Sequence, residues 1–467
     1  MQRLLEIGVL ALVAACSSLV SAATPDPASL ERIACEPDPN QTYAAFLPAS
    51  YDPHRAHPVV LLMDPRGRAG TPLELFRPGA DRLGYILISS YDTSSDGAWE
   101  PNEKAVRAML PDARRRFSID PKRLYLAGFS GTARAAWDFS VRLRDGVAGV
   151  IGFGAGLPSE RHPLDKAPPF FGGAGTTDFN FTELRALDDK LDELGAAHRV
   201  VFFEGSHAWP PEGVASAALE WMEVQAMKQG LRPRDEALAG RLLEGRLSRA
   251  RSLDSAGDAY EALREYRSIA RDFEGLAPVA DAAARAAALE KDRQARKTKD
   301  RMDDLAGRER GFQTRLGTFL GQFHVANPPP TVEETLRTLK VQPLQADAKS
   351  SDTMLAQMAD RMLSTLFVHV SFYEPMDCLS RKDAARAAAF LAVAETLRPE
   401  DAGVQVMLAR ARAQLGQKKE ALDALARAAA ALPLDPQRLR TDRWLVPLKD
   451  EARFQELLAS LESRGQS

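Results

Sequence analysis

The sequence predicts a doubly wound, mostly parallel α/β unit followed by an all-α unit, and three observations carry that reading. In the first half of the 467 residues, short apolar runs alternate with helical stretches, the pattern of strands covered on both faces by helices. Beyond residue 230 the strand-like runs almost vanish while alanine-rich helical stretches continue. Aromatic residues are only 7% of the chain, which speaks against an all-β fold. An apolar fraction of 45% is enough for a full core. The formal charge of −3, with basic residues spread among acidic ones, makes no case for nucleic acid or an anionic membrane surface.

Residues 1–23 have the order of an export signal. Arg3 supplies the early charge, residues 7–15 are apolar, and small residues follow. The run is too short to span a bilayer core of about 30 Å. Two processing outcomes stay open. Val13-Ala14-Ala15-Cys16 resembles a bacterial lipobox, with Cys16 as the lipidation site; the rival is an ordinary cut near Ser21-Ala22-Ala23. The expected location is the periplasm or, through a lipid anchor, the outer membrane, with simple secretion as the alternative. Residues 24–40 read as a linker. Three cysteines exclude a disulfide framework or a cysteine-rich zinc site, and Cys35 and Cys378 are expected as free buried thiols.

From 41 to 230 the candidate strands are 43–47, 59–63, 85–89, 124–128, 147–153, 170–173 and 199–204. Each is short and rich in Val, Ile, Leu, Phe or Tyr, and several lack two-residue alternation, as expected of strands buried on both faces. Helices are expected over 102–117, 133–143, 181–194 and 214–229.

From 231 to 467 the helical stretches are 241–255, 259–273, 279–323, 353–372, 382–397, 404–415 and 418–432. Ala256-Gly257-Asp258, Asn327-Pro328-Pro329-Pro330, Arg398-Pro399, Gly416 and Leu434-Asp435-Pro436 stop them. The charged segment 290–310 is expected as a solvated helix face. Ala387, Leu391, Ala394 and Pro399 recur as Ala421, Leu425, Ala428 and Pro433, 34 residues on. Leu408 and Ala409 supply a large and a small packing residue between them. This spacing resembles a tetratricopeptide (TPR) repeat over 404–436, and the resemblance implies a surface for a protein or peptide partner.

The chemistry concentrates in three places. Leu124-Tyr125-Leu126-Ala127-Gly128-Phe129-Ser130-Gly131-Thr132 is a strand that turns sharply into a helix. Such a turn exposes the serine hydroxyl as a nucleophile and aims the next backbone N–H, that of Gly131, at a developing oxyanion. Thr132 stands where a second small residue is usual, which predicts a slightly crowded turn. A serine nucleophile needs a base. His207, in Gly205-Ser206-His207-Ala208-Trp209, directly follows the last candidate strand. His54, His57, His198, His324 and His369 are set aside by their positions, and His162 lies in a polar loop. The base needs an orienting acid. Asp178, in Gly175-Thr176-Thr177-Asp178-Phe179, follows a strand and opens a helix; Asp165 is the fallback. The third place is Met63-Asp64-Pro65-Arg66-Gly67-Arg68-Ala69, where the second oxyanion donor is expected. Pro65 has no N–H, so the candidates are Arg66 and Gly67, with Asp64 an awkward neighbour unless Arg66 or Arg68 pairs with it.

With Gln41–Tyr51 (QTYAAFLPASY), DPRGRA, GFSGTARAA, GTTDFNF and GSHAWPP in view, residues 41–230 resemble the α/β-hydrolases. The likeness is to the small secreted esterases similar to polyhydroxybutyrate depolymerases and feruloyl esterases. It implies Ser130 as nucleophile, His207 as base and Asp178 as orienter, in the Ser, Asp, His chain order of that fold. The expectation is an exported, cofactor-free serine hydrolase acting on esters; the short span from Ser130 to Asp178 leaves no room for a large lid, so the site is open to bulky or polymeric esters unless the helical half covers it. No histidine pair at i, i+4 spacing, His-Glu-x-x-His motif or phosphate loop is present: Gly152-Phe153-Gly154-Ala155-Gly156 lacks the Lys-Ser/Thr ending of a phosphate loop and reads as a strand end under the site. The alternative is a non-catalytic periplasmic TPR lipoprotein on a degenerate hydrolase platform; the missing His-Gly of the usual oxyanion loop and Thr132 favour it.

Overall fold

In the computed structural model, residues 32–95, 99–143, 146–156, 164 and 167–464 are described. The expected signal, Cys16, His162 and Asp165 lie outside them. Among the described residues no helix is long and apolar enough to cross a membrane.

Eight strands form one sheet: β1 (Ile33–Ala34), β2 (Thr42–Phe46), β3 (His57–Met63), β4 (Ile86–Ser90), β5 (Ile119–Phe129), β6 (Val147–Phe153), β7 (Phe170–Gly175) and β8 (His198–Phe203). Their order is β1-β2-β4-β3-β5-β6-β7-β8. β1 and β2 pair antiparallel at one edge, and β3 to β8 are parallel. β1 falls inside the expected linker, with Cys35 buried beside it.

β3 shows why these sequences become central strands. Every residue of His-Pro-Val-Val-Leu-Leu-Met is buried. Val59, Leu61 and Met63 enter one core while Val60 and Leu62 enter the opposite one, so both faces need cover. Helices α2 (Glu100–Arg116), α3 (Gly131–Arg142) and α4 (Phe181–Glu193) cover the first face through Val106, Met109, Trp137, Leu184 and Leu187. Helices α1 (Gly70–Leu83) and α5 (Glu212–Lys228) cover the second through Leu73, Phe76, Leu219 and Met222. The doubly wound expectation holds. α1 went unpredicted: Pro78 and two glycines interrupt its pattern, and packing against α5 overrides them.

After α5 every element among the described residues is helical. α6 (Glu236–Ser255), α7 (Ala259–Phe273) and α8 (Ala280–Leu289) share a core with Val224 of α5. A larger core joins α9 (Arg293–Val325), α10 (Val332–Thr338), α11 (Val341–Asp347), α12 (Thr353–Val368), α13 (Glu374–Ser380), α14 (Ala384–Leu397), α15 (Ala402–Gln414), α16 (Lys418–Ala431), α17 (Pro436–Thr441) and α18 (Ala452–Arg464). The repeated Ala387, Leu391 and Ala394, and Ala421, Leu425 and Ala428, are all buried on α14 and α16.

Two boundaries and one burial differ from expectation for local reasons. The run 279–323 is two helices, because Asp292 takes the N–H groups of Gln294 and Ala295 and starts α9 afresh. The run 353–372 passes into a π-helical turn, His369–Tyr373, just before Pro375, which has no N–H to continue the ordinary ladder. Within the segment expected to be solvated, Glu309 is fully buried in an ion pair with Arg361 of α12.

The sheet's far edge is closed by the helical half. Arg271 of α7 donates to the His198 carbonyl at 2.5 Å, and Arg264 reaches the Val200 carbonyl at 3.4 Å. Two outward carbonyls of β8 are thereby occupied, and a free strand edge is avoided.

Candidate active site

Ser130 ends β5 and precedes α3 with φ 54° and ψ −128°. A non-glycine residue at positive φ is strained by about 1–3 kcal/mol, so the surroundings must impose it. They do: the Ser130 N–H donates to the Phe153 carbonyl at 2.8 Å, and its carbonyl accepts from Ala133 and Arg134. Gly128 makes the bend possible, because a Cβ there would lie 2.3 Å from the Thr132 carbonyl oxygen.

The predicted crowding at Thr132 is resolved by hydrogen bonding. Its buried hydroxyl lies 2.7 Å from the Met63 carbonyl and 2.8 Å from that of Phe129, and it accepts the Phe129 N–H at 3.1 Å. One side chain thus stitches the elbow to the end of β3.

His207, in the loop after β8, places Nε2 2.9 Å from Ser130 Oγ. Its Nδ1 lies 2.9 Å from both Asp178 oxygens. A carboxylate only accepts, so Nδ1 carries the hydrogen and Nε2 is left to accept the serine proton. Asp178 is fully buried after β7, and its Oδ1 also accepts the Asn180 N–H at 2.8 Å. The N-cap of α4 is Asn180, so the Asp178 carboxylate is not consumed as a helix cap.

The two loops meet backbone to backbone. Thr177 donates its N–H and hydroxyl to the Gly205 carbonyl, both at 2.9 Å. A Cβ on Gly175 would lie 2.3 Å from that oxygen. Phe129 and Phe179 lie against the imidazole at centroid distances of 4.6 and 4.2 Å. Three residues that follow three strands, far apart in sequence, are brought together here.

The opposite side of Ser130 differs. Gly131 is the first residue of α3, so its N–H is among the first-turn donors that no earlier helical carbonyl receives. Arg66 and Gly67 depart from expectation: the Arg66 N–H donates to Asp64 Oδ1 at 2.8 Å and the Gly67 N–H to the Asp64 carbonyl at 3.1 Å. In this state neither amide is available to an oxyanion.

Asp64 is buried and is indeed paired, by Arg68, whose Nε and Nη2 bind its two oxygens at 3.0 and 2.9 Å. Trp209 Nε1 donates to the same carboxylate at 2.9 Å, linking this turn to the His207 loop. Burial pushes the Asp64 carboxyl up, and the hydrogen bonds from Arg68, Trp209 and the Arg66 amide outweigh burial and hold it below its ordinary 3.8.

Above the serine lies a cavity of about 610 Å³ with walls from both halves of the chain. Ser130, Gly131, Arg134 and Phe179 meet Leu316 and Leu320 of α9 and His369 of the π-turn. His369, set aside from its position in sequence, therefore does face the site. So does α9, and the cover comes from the helical half.

Arg361 and Trp209 were missed as supports. Arg361 donates to the Thr176 carbonyl at 2.8 Å, two residues before Asp178, while it grips Glu309. No sequence pattern announces a contact across 185 residues. Cys35 and Cys378 are both buried and free, and burial pushes their thiols up to about 11 and about 12.

The strand order, the parallel register and the serine elbow make the sheet half an α/β-hydrolase fold. No family model matches the chain, and no curated protein matches it. Among solved structures it is similar to S-formylglutathione hydrolase FrmB from Staphylococcus aureus, with 13% identity and a TM-score of 0.32, over 39% of this chain and 90% of that one. A ferulic acid esterase gives 15% identity and a TM-score of 0.34 over 39% and 91%. Est1E from Butyrivibrio proteoclasticus gives 11% and 0.33 over 40% and 94%.

Proposed function

We propose that this protein is a serine hydrolase that cleaves carboxylic esters through an acyl-enzyme. The observation that carries the reading is the hydrogen-bond chain of 2.9 Å steps from Ser130 Oγ through His207 to buried Asp178, built on a strained elbow. His207 Nε2 takes the Ser130 proton as Oγ attacks the ester carbonyl carbon. Asp178 holds the ring and stabilises the imidazolium. The oxyanion meets the Gly131 N–H, aided by the partial positive charge at the start of α3. As the C–O bond breaks, His207 returns its proton to the leaving alcohol; water, deprotonated by the same nitrogen, then releases the acid and frees Ser130. The preference for esters rests on the resemblance of the GFSGTARAA and GSHAWPP segments to secreted esterases. Export, with either a lipid on Cys16 or a plain cut near Ser21-Ala22-Ala23, and a TPR-type partner surface belong to the same proposal, resting on sequence motifs alone.

A second reading, a binding protein on a degenerate hydrolase platform, is favoured by one observation: the Arg66 and Gly67 amides are both occupied. A fluorophosphonate probe separates the two. Wild type is expected to label and to hydrolyse p-nitrophenyl acetate, and Ser130→Ala to do neither. A folded wild type that neither labels nor turns over a short-chain ester overturns the enzyme reading.

A further inference from the structure

The helical half does more than sit beside the sheet, since its arginines hold both loops that flank Ser130. Arg361 of α12, buried and paired with Glu309, donates to the Thr176 carbonyl at 2.8 Å on the Asp178 side. Arg438 of α17 donates to the Arg66 carbonyl at 2.7 Å on the other side. α9 and α12 are thereby set at a fixed height above the serine. The cavity beneath them, about 610 Å³, is of the size that holds a single small organic molecule.

Its apolar lining comes from both halves: Phe179 from the sheet side, Leu316 and Leu320 one helical turn apart on α9, and Val368 at the end of α12. Gly317 lies between the two leucines in sequence and also faces the cavity, and a Cβ added there meets nothing within 4 Å. The wall thus has a gap where any larger residue would project into the space above Ser130.

We propose that the helical half is the specificity wall of the Ser130 site, admitting single esters of bounded acyl length, with the acyl chain lying along Leu316, Gly317 and Leu320. This rests on the hydrolase reading above and deepens it. With α9 and α12 over Ser130, an ester bond held in a polymer particle has less room to approach than one in a free molecule, so monomeric esters are the substrate class.

The test uses the full chain and a series of p-nitrophenyl esters from acetate to decanoate. Leucine is a better helix former than glycine at an exposed position, so Gly317→Leu is expected to fold. Its octanoate-to-acetate ratio of kcat/KM should fall about 10-fold or more, because a pocket altered by a few methylenes discriminates on that scale. Gly317→Ala should follow wild type on the shorter esters. Polyhydroxybutyrate particles should release no product. A chain-length profile unaffected by Gly317→Leu, or steady release from the particles, overturns the wall while leaving the hydrolase reading intact. A wild type that neither labels with fluorophosphonate nor hydrolyses acetate overturns the hydrolase reading, and the wall with it.

Discussion

The two sides of Ser130 are built differently. On the acid–base side, side chains from three strand ends converge at 2.9 Å, with Gly175 and Thr177 fastening the loops together. On the oxyanion side the working groups are backbone amides. There Gly131 alone opens a helix, while Arg66 and Gly67 give their N–H groups to Asp64. One side is complete before substrate arrives; the other depends on a turn that must yield one amide or do without it. Side-chain chemistry is set by residue identity, whereas amide direction is set by turn geometry, so the two sides answer to different substitutions.

The largest break falls on the complete side. Asp178→Asn keeps the size of the side chain but offers an N–H₂ that can hold His207 in the wrong tautomer, with Nε2 unable to accept the serine proton. In a serine triad that change lowers kcat by about 10⁴-fold. The same fall is expected here on p-nitrophenyl acetate, with circular dichroism unchanged. A loss of only a few-fold would mean that Asp178 does not orient His207 during turnover.

The same asymmetry explains what could be read in advance. Ser130, Asp178 and His207 were legible because each follows an apolar strand with its residue type intact, and strand positions were legible because β3, β6 and β7 are continuous apolar runs. The Asp64 turn was half legible: its composition shows that a carboxylate needs an arginine, and Arg68 supplies it, but not that the carboxylate also captures the Arg66 N–H. Which residues form the roof was not legible. Leu316, Gly317 and Leu320 look like any helical residues, and only the docking of α9 through the buried Arg361–Glu309 pair places them over Ser130. The charge density that suggested a solvated helix around residues 290–310 concealed that pair, because a buried glutamate and an exposed one are the same letter.

A smaller effect tests the turn itself. Asp64→Asn retains an acceptor for the Arg66 amide, but it loses the charge facing Arg68 and turns either an amide N–H₂ or a weaker carbonyl towards Trp209. Losing hydrogen bonds to a buried charge costs about 2–3 kcal/mol, read as a lower urea midpoint. The pH dependence has a definite sign. The folded-state pKa of Asp64 is held below 3.8, so its contribution is whole above that value and is lost as the pH falls through the folded pKa. The stability gap between wild type and variant should therefore hold above about pH 4 and narrow as the pH falls below it. A gap that stays constant across that fall would place the role of Asp64 in packing, not charge.

The smallest effect lies where the two sides join. The Thr132 hydroxyl ties the elbow to β3, bonded to the Met63 and Phe129 carbonyls and to the Phe129 N–H. Thr132→Val keeps the shape and removes the bonds, and a typical net hydrogen-bond contribution makes the expected loss about 1 kcal/mol. Thr132→Ser keeps the bonds and removes one methyl group, about 0.8 kcal/mol of burial. Stability alone barely separates the pair, but catalysis does. If the hydroxyl fixes the elbow's position beside the Asp64 turn, the valine variant loses turnover while the serine variant retains it. Equal turnover in both would reduce Thr132 to a space-filling residue and leave Gly128 and the Phe153 carbonyl to hold the elbow.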